Sequence, residues 1–406
     1  MERWKINLVV LWIGQFFVMA GTTMITPFLP LYLQEMGMHD THQVAIWSGL
    51  IFSSSFVTSF IFQPIWGGVA DRYGRKMMLM RSGYGMAIVM CLMGFAQSAW
   101  MLLALRLLNG TISGFNPASV TLLSATTPKD KVGFAMGMLQ SGGVAGSIFG
   151  PLIGGLLADT IGYSKIFFLT ALLLVAASLL VTFFVHEKFD REAALAAPRV
   201  SLVDSFRELA HVRELPALFA VTFLFQFALL APSQLLPLFV QELHGAGAAN
   251  LAFFAGLVSS ANGISNMLVS PLLGKLGDRF GSERVLNICL LGVALSFIPQ
   301  SFVTAVWQLF VMRFLQGLFM GGLLPSVYSL IRKFTPDGME SRSYSLNTST
   351  LALGNVLGPI TGGLLSPLFG IQGVFLLSAV LLLLNAFWVR QSLNRRPARD
   401  RGLSKP

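Results

Sequence analysis

The sequence predicts an all-α integral membrane protein, with twelve transmembrane helices in two parallel six-helix repeats. Three observations predict it. Only 11% of the 406 residues are charged and 54% are hydrophobic, with a mean hydropathy of +0.70, whereas a soluble domain is about a quarter charged. Apolar segments of roughly 20 residues, the length that crosses a bilayer, recur along the chain. Several blocks then repeat at an offset of 207 residues, about half the length.

In order, the segments are 6–34, 44–68, 77–96, 100–125, 133–157, 163–185, 217–241, 251–273, 285–303, 307–331, 343–365 and 371–391. Most exceed the 18 residues that separate a span from a buried soluble helix. The weak alternation of a membrane β-barrel is absent. The first segment follows Lys5 as a signal peptide would, but it outruns the usual 7–15 residue apolar region and has an internal copy, so it is expected to be retained. It ends in TPFLP, where Pro27 and Pro30 interrupt backbone hydrogen bonding and favour a hinge or a simple kink. The second segment runs into GGVADRYGRKMML (67–79), four charges packed between apolar runs. The fourth carries Arg106-x-x-Asn109-Gly110 and the tenth its copy, Arg313-x-x-Gln316-Gly317. A charge in hydrocarbon costs at least about 2.5–3.5 kcal/mol, so it usually faces a cavity and has a function. The structural alternative is an arginine that snorkels. The fifth segment, GMLQSGGVAGSIFGPLIGG, is a glycine stripe that suits close helix approach in lipid.

The repeat covers four blocks in one order. LPLYLQE (29–35) matches LPLFVQE (236–242), WMLLALRLLNG (100–110) matches WQLFVMRFLQG (307–317), and the charged turn returns as GKLGDRFGSERVL (274–286). GPLIGGLL (150–157) matches GPITGGLL (358–365) at an offset of 208. Matched blocks in one order indicate duplication. An even number of spans per copy keeps both in one orientation, about an axis along the membrane normal. The expected organisation is a bundle over 1–185, a cytoplasmic linker over 186–216, a bundle over 217–391 and a basic tail over 392–406. Residues 201–213 have an amphipathic spacing suited to the membrane surface.

The net charge is +10, yet 25 of the 28 Lys and Arg fall on one side of the predicted topology. That is the positive-inside pattern, which places both termini in the cytoplasm and argues against nucleic acid as the partner. Arg106 and Arg313 lie within spans, and Lys165 falls on the opposite side. Cys91 and Cys289 sit in apolar spans and read as plain buried residues. No GxxxxGK[ST] motif occurs, so ATP is not the expected energy source. His39-x-x-His42 reads as a solvated loop, and no metal site is predicted. No acid lies at the middle of a predicted span; the deepest are Glu35 and Glu242, equivalent residues at the outer ends of spans 1 and 7.

These motifs resemble those of the major facilitator superfamily, and more narrowly its twelve-span drug:proton antiporters, over nearly the whole chain. The family's G-x-L-A-D-R-x-G-R-K-x-x-L turn is met by Gly67, Ala70, Asp71, Arg72, Gly74, Arg75, Lys76 and Leu79, with Val69 in place of Leu. The second copy keeps Gly274, Leu276, Asp278, Arg279, Gly281 and Leu286, and has Ser282 and Glu283 where the first has Arg and Lys. The resemblance implies a conformational latch in which Asp71 meets the N-terminus of span 11, a favourable charge–dipole contact. The alternative is that these charges only fix topology. Gly137, Gly146, Gly150, Pro151, Gly154 and Gly155 match the antiporter glycine motif G-x8-G-x3-G-P-x2-G-G. The family assigns the arginine of span 4 to proton coupling, which points to Arg106 and its copy Arg313; Glu35 and Glu242, the deepest acids, are the carboxylate candidates. Asn109 departs from the family's Gln.

The resemblance therefore implies proton-coupled export of small lipophilic or amphipathic compounds by alternating access, in a bacterial cytoplasmic membrane. Protons, a small-molecule substrate and membrane lipid are the implied partners, with no cofactor beyond the proton gradient, no obligate protein partner and no enzymatic step. A solute uptake symporter of the same fold is the alternative, followed by a sensor or channel. Two arginines without an acid at their depth further suggest a cavity that disfavours permanent cations, and a contact between Arg106 and Glu35 in one conformation.

Overall fold

A computed structural model describes residues 2–128, 132–187, 214–245, 250–335 and 340–393. A few helical side chains, including those of Asp71, Arg72 and Asp278, lie outside this description, as do 188–213 of the linker and 394–406 of the tail. The described residues form helices and no strand.

The helices are α1 (Arg3–Met24), α2 (Leu29–Glu35), α3 (Thr41–Tyr73), α4 (Arg75–Met93), α5 (Ala99–Ile112), α6 (Phe115–Thr126), α7 (Val132–Ile161) and α8 (Tyr163–Phe184) in the first half. The second half holds α9 (Glu214–Leu230), α10 (Leu236–His244), α11 (Leu251–Phe280), α12 (Ser282–Gln300), α13 (Val306–Met320), α14 (Leu323–Phe334) and α15 (Glu340–Leu393). Gly370 breaks α15 into two passes with φ 70°. Its repeat equivalent Gly162 turns α7 into α8 with φ 87°.

Eight stretches are long and apolar enough to cross a membrane alone, one of them holding both passes of α15. The other three passes of the twelve are α4 and the broken pairs α5/α6 and α9/α10. The helix α4 falls short in apolarity because Arg75, Lys76 and Arg81 occupy its first two turns. Spans 1, 4, 7 and 10 are each interrupted, at 25–28, 113–114, 231–235 and 321–322. The sequence announces the first break through Pro27, since a residue before proline avoids the helical region. The others sit at Ser113-Gly114, Pro232 and Gly321-Gly322, signals of the same kind that the sequence reading passed over.

Each half packs around matching aromatic pairs. Tyr32 meets Phe167 at 5.4 Å between ring centroids, and their repeat equivalents Phe239 and Phe375 meet at 5.5 Å. Lipid gives helices no hydrophobic drive to associate, so small residues that let backbones touch carry much of the packing. On α7, a Cβ added to Gly146 would lie 2.5 Å from the Phe16 carbonyl of α1, and one on Gly150 2.6 Å from the Ala20 carbonyl. Gly154 abuts Met24 of the same helix. In the second half Gly354 and Gly358 of α15 abut Gln226 and Phe227 of α9, and Gly362 abuts Ala231 just after it, in the same manner. Gly137, at the other end of α7, has no atom within 4 Å of its Cβ position.

Gly154→Leu should therefore lower stability by about 1–3 kcal/mol, the usual cost of overpacking. Thermal unfolding in detergent is expected to show this, while Gly137→Leu unfolds at the wild-type temperature.

Candidate functional site

The two halves meet mainly along two crossed helix pairs, α7 with α11 and α3 with α15, and at a smaller contact of α2 with α10. The crossings are built from repeat-equivalent residues. Gly256 of α11 lies on the Pro151 carbonyl of α7, and Gly155 of α7 lies on the Ala252 carbonyl. Likewise Gly49 of α3 lies on the Pro359 carbonyl of α15, and Gly363 lies on the Ala45 carbonyl. The fifth-span motif thus has two faces. Gly146, Gly150 and Gly154 bind their own half, whereas Pro151 and Gly155 form the seam.

Several hydrogen bonds join the halves toward this end. Gln34 Nε2 donates to Gln241 Oε1 at 3.0 Å, and Gln241 Nε2 donates back to Gln34 Oε1 at 3.1 Å. The Ser260 hydroxyl donates to the Ile148 carbonyl at 2.9 Å. Asp159 accepts from the backbone N–H groups of Ala252 and Phe253 at 3.2 and 2.8 Å. From Asp159 down to Ile148 is roughly 16 Å of helix at 1.5 Å per residue, about half the hydrocarbon thickness. Toward the basic end, Gly67, Gly137 and Gly274 have nothing within 4 Å of their Cβ positions. The molecule is closed at the end remote from its basic loops, and these inner glycines stand clear of any neighbour.

Arg106 and Arg313 are buried, at 7% and 6% exposure. Each precedes by one turn a glycine that touches a neighbouring helix. Gly110 of α5 abuts Ser55 and Thr58 of α3, and Gly317 of α13 abuts Asn262 and Ser265 of α11. Residues four apart share a helix face, so the arginines lie on the faces turned to α3 and α11. Arg313 Nη1 donates to Gln316 Oε1 at 3.0 Å. Buried Arg313 Nε, Gln316 Nε2 and Asn109 Oδ1 have no hydrogen-bond partner, which leaves polar capacity open at mid-depth. Ion pairs form between Glu2 and Lys5 and between Glu283 and Lys333, and none joins Arg106 to Glu35. The expected contact of Arg106 with Glu35 is therefore not formed. Glu35 is exposed at the end of α2, remote from the buried guanidinium in this conformation.

At the far mouth, a cavity of about 430 Å³ is lined by Gln34, His39, Thr41, Leu238, Gln241 and Glu242. The acids singled out from sequence, Glu35 and Glu242, each adjoin one of the paired glutamines. Repeat symmetry could have found that pair, because equivalent residues near the axis face one another.

The family model described as Major Facilitator Superfamily matches residues 11–258 and 252–406. The chain belongs to the Major Facilitator Superfamily. It is 42% identical to Multidrug resistance protein MdtG of Salmonella dublin and equally to that of Salmonella typhimurium, over 97% of both chains in each case. Among solved structures it resembles the nucleoside transporter NupG with a TM-score of 0.79 at 14% identity, covering 97% of this chain and 100% of that one. A bacterial homologue of the human lysosomal transporter Spinster, inward-facing and unoccupied, gives a TM-score of 0.80 at 15% identity, covering 97% of each chain. Those two likenesses show the fold.

The superfamily's charged turn is built as follows. Gly74 and Gly281 join their helices with φ 95° each, a conformation that favours glycine. The Glu187 carboxylate accepts from the backbone N–H groups of Arg75 and Lys76 at 3.1 and 2.8 Å, capping α4. Lys76 Nζ donates to the Thr182 carbonyl of α8 at 2.9 Å. The Arg75–Lys76 segment is thus tied to span 6 of its own half. In the second half, Ser282 bonds to Ser329 and Glu283 pairs with Lys333, so that turn is tied to span 10. Arg279 stands beside Phe280. The latch contact of Asp71 lies outside the described side chains, as do Arg72 and Asp278. Arg81 stacks on Trp66 at 3.6 Å, and Trp66 Nε1 donates to the Thr111 carbonyl at the break in span 4.

Replacing either seam glutamine by alanine should favour far-end opening. In a double-mutant cycle on Gln34→Ala and Gln241→Ala, the coupling is expected at about 1 kcal/mol. Distances between spin labels across the far mouth report it.

Proposed function

We propose that this protein exports small lipophilic or amphipathic compounds in exchange for protons, by alternating access between its two halves. The observation that carries the reading is the seam. It is closed over the far half of the membrane depth by twofold-related glycine contacts between the halves, while Gly67, Gly137 and Gly274, toward the basic end of the same helices, have no atom within 4 Å of their Cβ positions. Export in particular is supported by the similarity to proteins named for multidrug resistance. The basic end is assigned to the cytoplasm by the positive-inside rule, which makes this conformation inward-open and puts both termini inside.

Coupling is assigned to Arg106 and Arg313 at mid-depth and to Glu35 and Glu242 at the outer mouth. Each guanidinium sets a positive field at mid-depth, and a proton on Glu35 would alter that field in a conformation that brings the two together. That field disfavours permanent cations and favours neutral or anionic cargo. The charged turns complete the cycle. When the basic end closes, Asp71 meets the N-terminus of span 11 and holds it shut.

In vesicles holding the purified chain, an imposed pH gradient should drive export and its collapse should stop it; uptake under the same gradient would reverse the assignment. Arg106→Ala is expected to reduce proton-driven export at least tenfold. Robust export of a quaternary ammonium dye would overturn the cargo-charge assignment. Asp71→Asn should abolish transport with expression intact, and Asp278→Asn should have a milder effect. Equal, negligible losses in both would reduce the turns to topology signals.

A further inference from the structure

We propose that Asp159 is the latch of the outer gate, a charge–dipole contact supplied by one half to a helix of the other. The proposal rests on the alternating-access reading above. Asp159 lies two residues before the end of α7, and both carboxylate oxygens accept hydrogen bonds from the first turn of α11, from Ala252 and Phe253. The first N–H groups of any helix need partners from outside it. The residue before α11, Asn250, is of a type that normally caps its own helix. Here it holds a left-handed conformation, φ 62°, and its side chain makes no capping bond. The other half therefore supplies the cap that α11 lacks. One turn before Asp159 on the same face, Gly155 lies against the Ala252 carbonyl. A side chain at that position would push the first turn of α11 away from the carboxylate.

The contact has no counterpart in the second seam. The residue equivalent to Asp159 is Pro367, which has no side-chain acceptor. The helix equivalent to α11 is α3, which is capped within its own half by Asp40 accepting from His42 N–H at 2.9 Å. Of two seams alike in backbone, one carries a charge–dipole contact between the halves. Opening the outer mouth must break it. Asp159 is exposed to water at the mouth, so the contact biases the equilibrium and does not lock it.

The test reads conformation directly, in the full chain in nanodiscs, without substrate or gradient. Spin labels at Lys165→Cys and Phe302→Cys, exposed residues near the outer end of the two halves, report the mouth after Cys91 and Cys289 are replaced by serine. Asp159→Ala should raise the ratio of open to closed outer mouths by about three- to tenfold, the scale of losing a charged cap. Asp159→Asn, which keeps an acceptor without the charge, should fall between that and wild type. Asp40→Ala removes the same kind of cap without crossing the seam, and its distribution should match wild type. Amide exchange at Ala252 and Phe253 should quicken in Asp159→Ala, a second readout if labelling distorts the mouth. An unchanged distribution in Asp159→Ala, or an equal shift in Asp40→Ala, overturns the latch. Because no cargo is involved, failure of export in vesicles leaves this result standing, and failure here leaves the export reading standing.

Discussion

The architecture depends on helix backbones touching where side chains would hold them apart. In lipid, two helices gain nothing by hiding apolar surface from each other, so contact at van der Waals distance becomes the main source of cohesion. One stripe on α7 serves two such contacts, with Gly146, Gly150 and Gly154 on α1 and Gly155 with Pro151 on α11. The same stripe on α15 does so again through Gly354, Gly358, Gly362 and Gly363. A single helix therefore belongs to a permanent interface on one face and a separable one on another. The permanent face is the longer, which suits the alternating-access reading in which each bundle moves as a unit.

Most of this architecture was legible in the sequence. Twelve segments, the repeat offset and the glycine motif predicted the spans within a few residues, because apolar length and small-residue spacing act locally. The seam was not legible. It pairs Gly49 with Pro359 and Gly256 with Pro151, residues far apart in the chain, and nothing in a lone glycine names its partner. Asp159 looked like one more acid at a helix end, and Gln34 was passed over for its neighbour Glu35. In each case the side chain that crosses between halves is short and ordinary, and only the fold gives it a partner. The motif's spacing does not by itself say which of its glycines touch a neighbour. Gly137 fits the spacing and touches nothing.

The two arginines show how burial and pairing separate. Sequence placed Arg106 and Arg313 inside the membrane, and burial agrees. Glu35 sits exposed at the mouth in this conformation and makes no contact with Arg106, which lies on the α3 face of span 4. What surrounds these charges is amide: Gln316 bonds to Arg313, and Asn109 replaces that amide in the first half with its oxygen left open. Duplication kept the backbone plan and let polar detail diverge, as it did at the seam and in the charged turns.

The length of the seam helices has a mechanical consequence. The helix α3 runs for 33 residues, about 50 Å at 1.5 Å per residue, well beyond the hydrocarbon core. Its tight contact with α15 sits at Ala45 and Gly49, near one tip. The remaining 24 residues to Tyr73 form an arm of about 36 Å. Each degree of tilt at that fulcrum carries the far tip about 0.6 Å, from that arm length alone. A displacement too small to break van der Waals packing at the pivot thus becomes several ångströms of travel at the charged turn. The closest approach of these two helices thus lies a long lever's length from the mouth that a tilt about it would open.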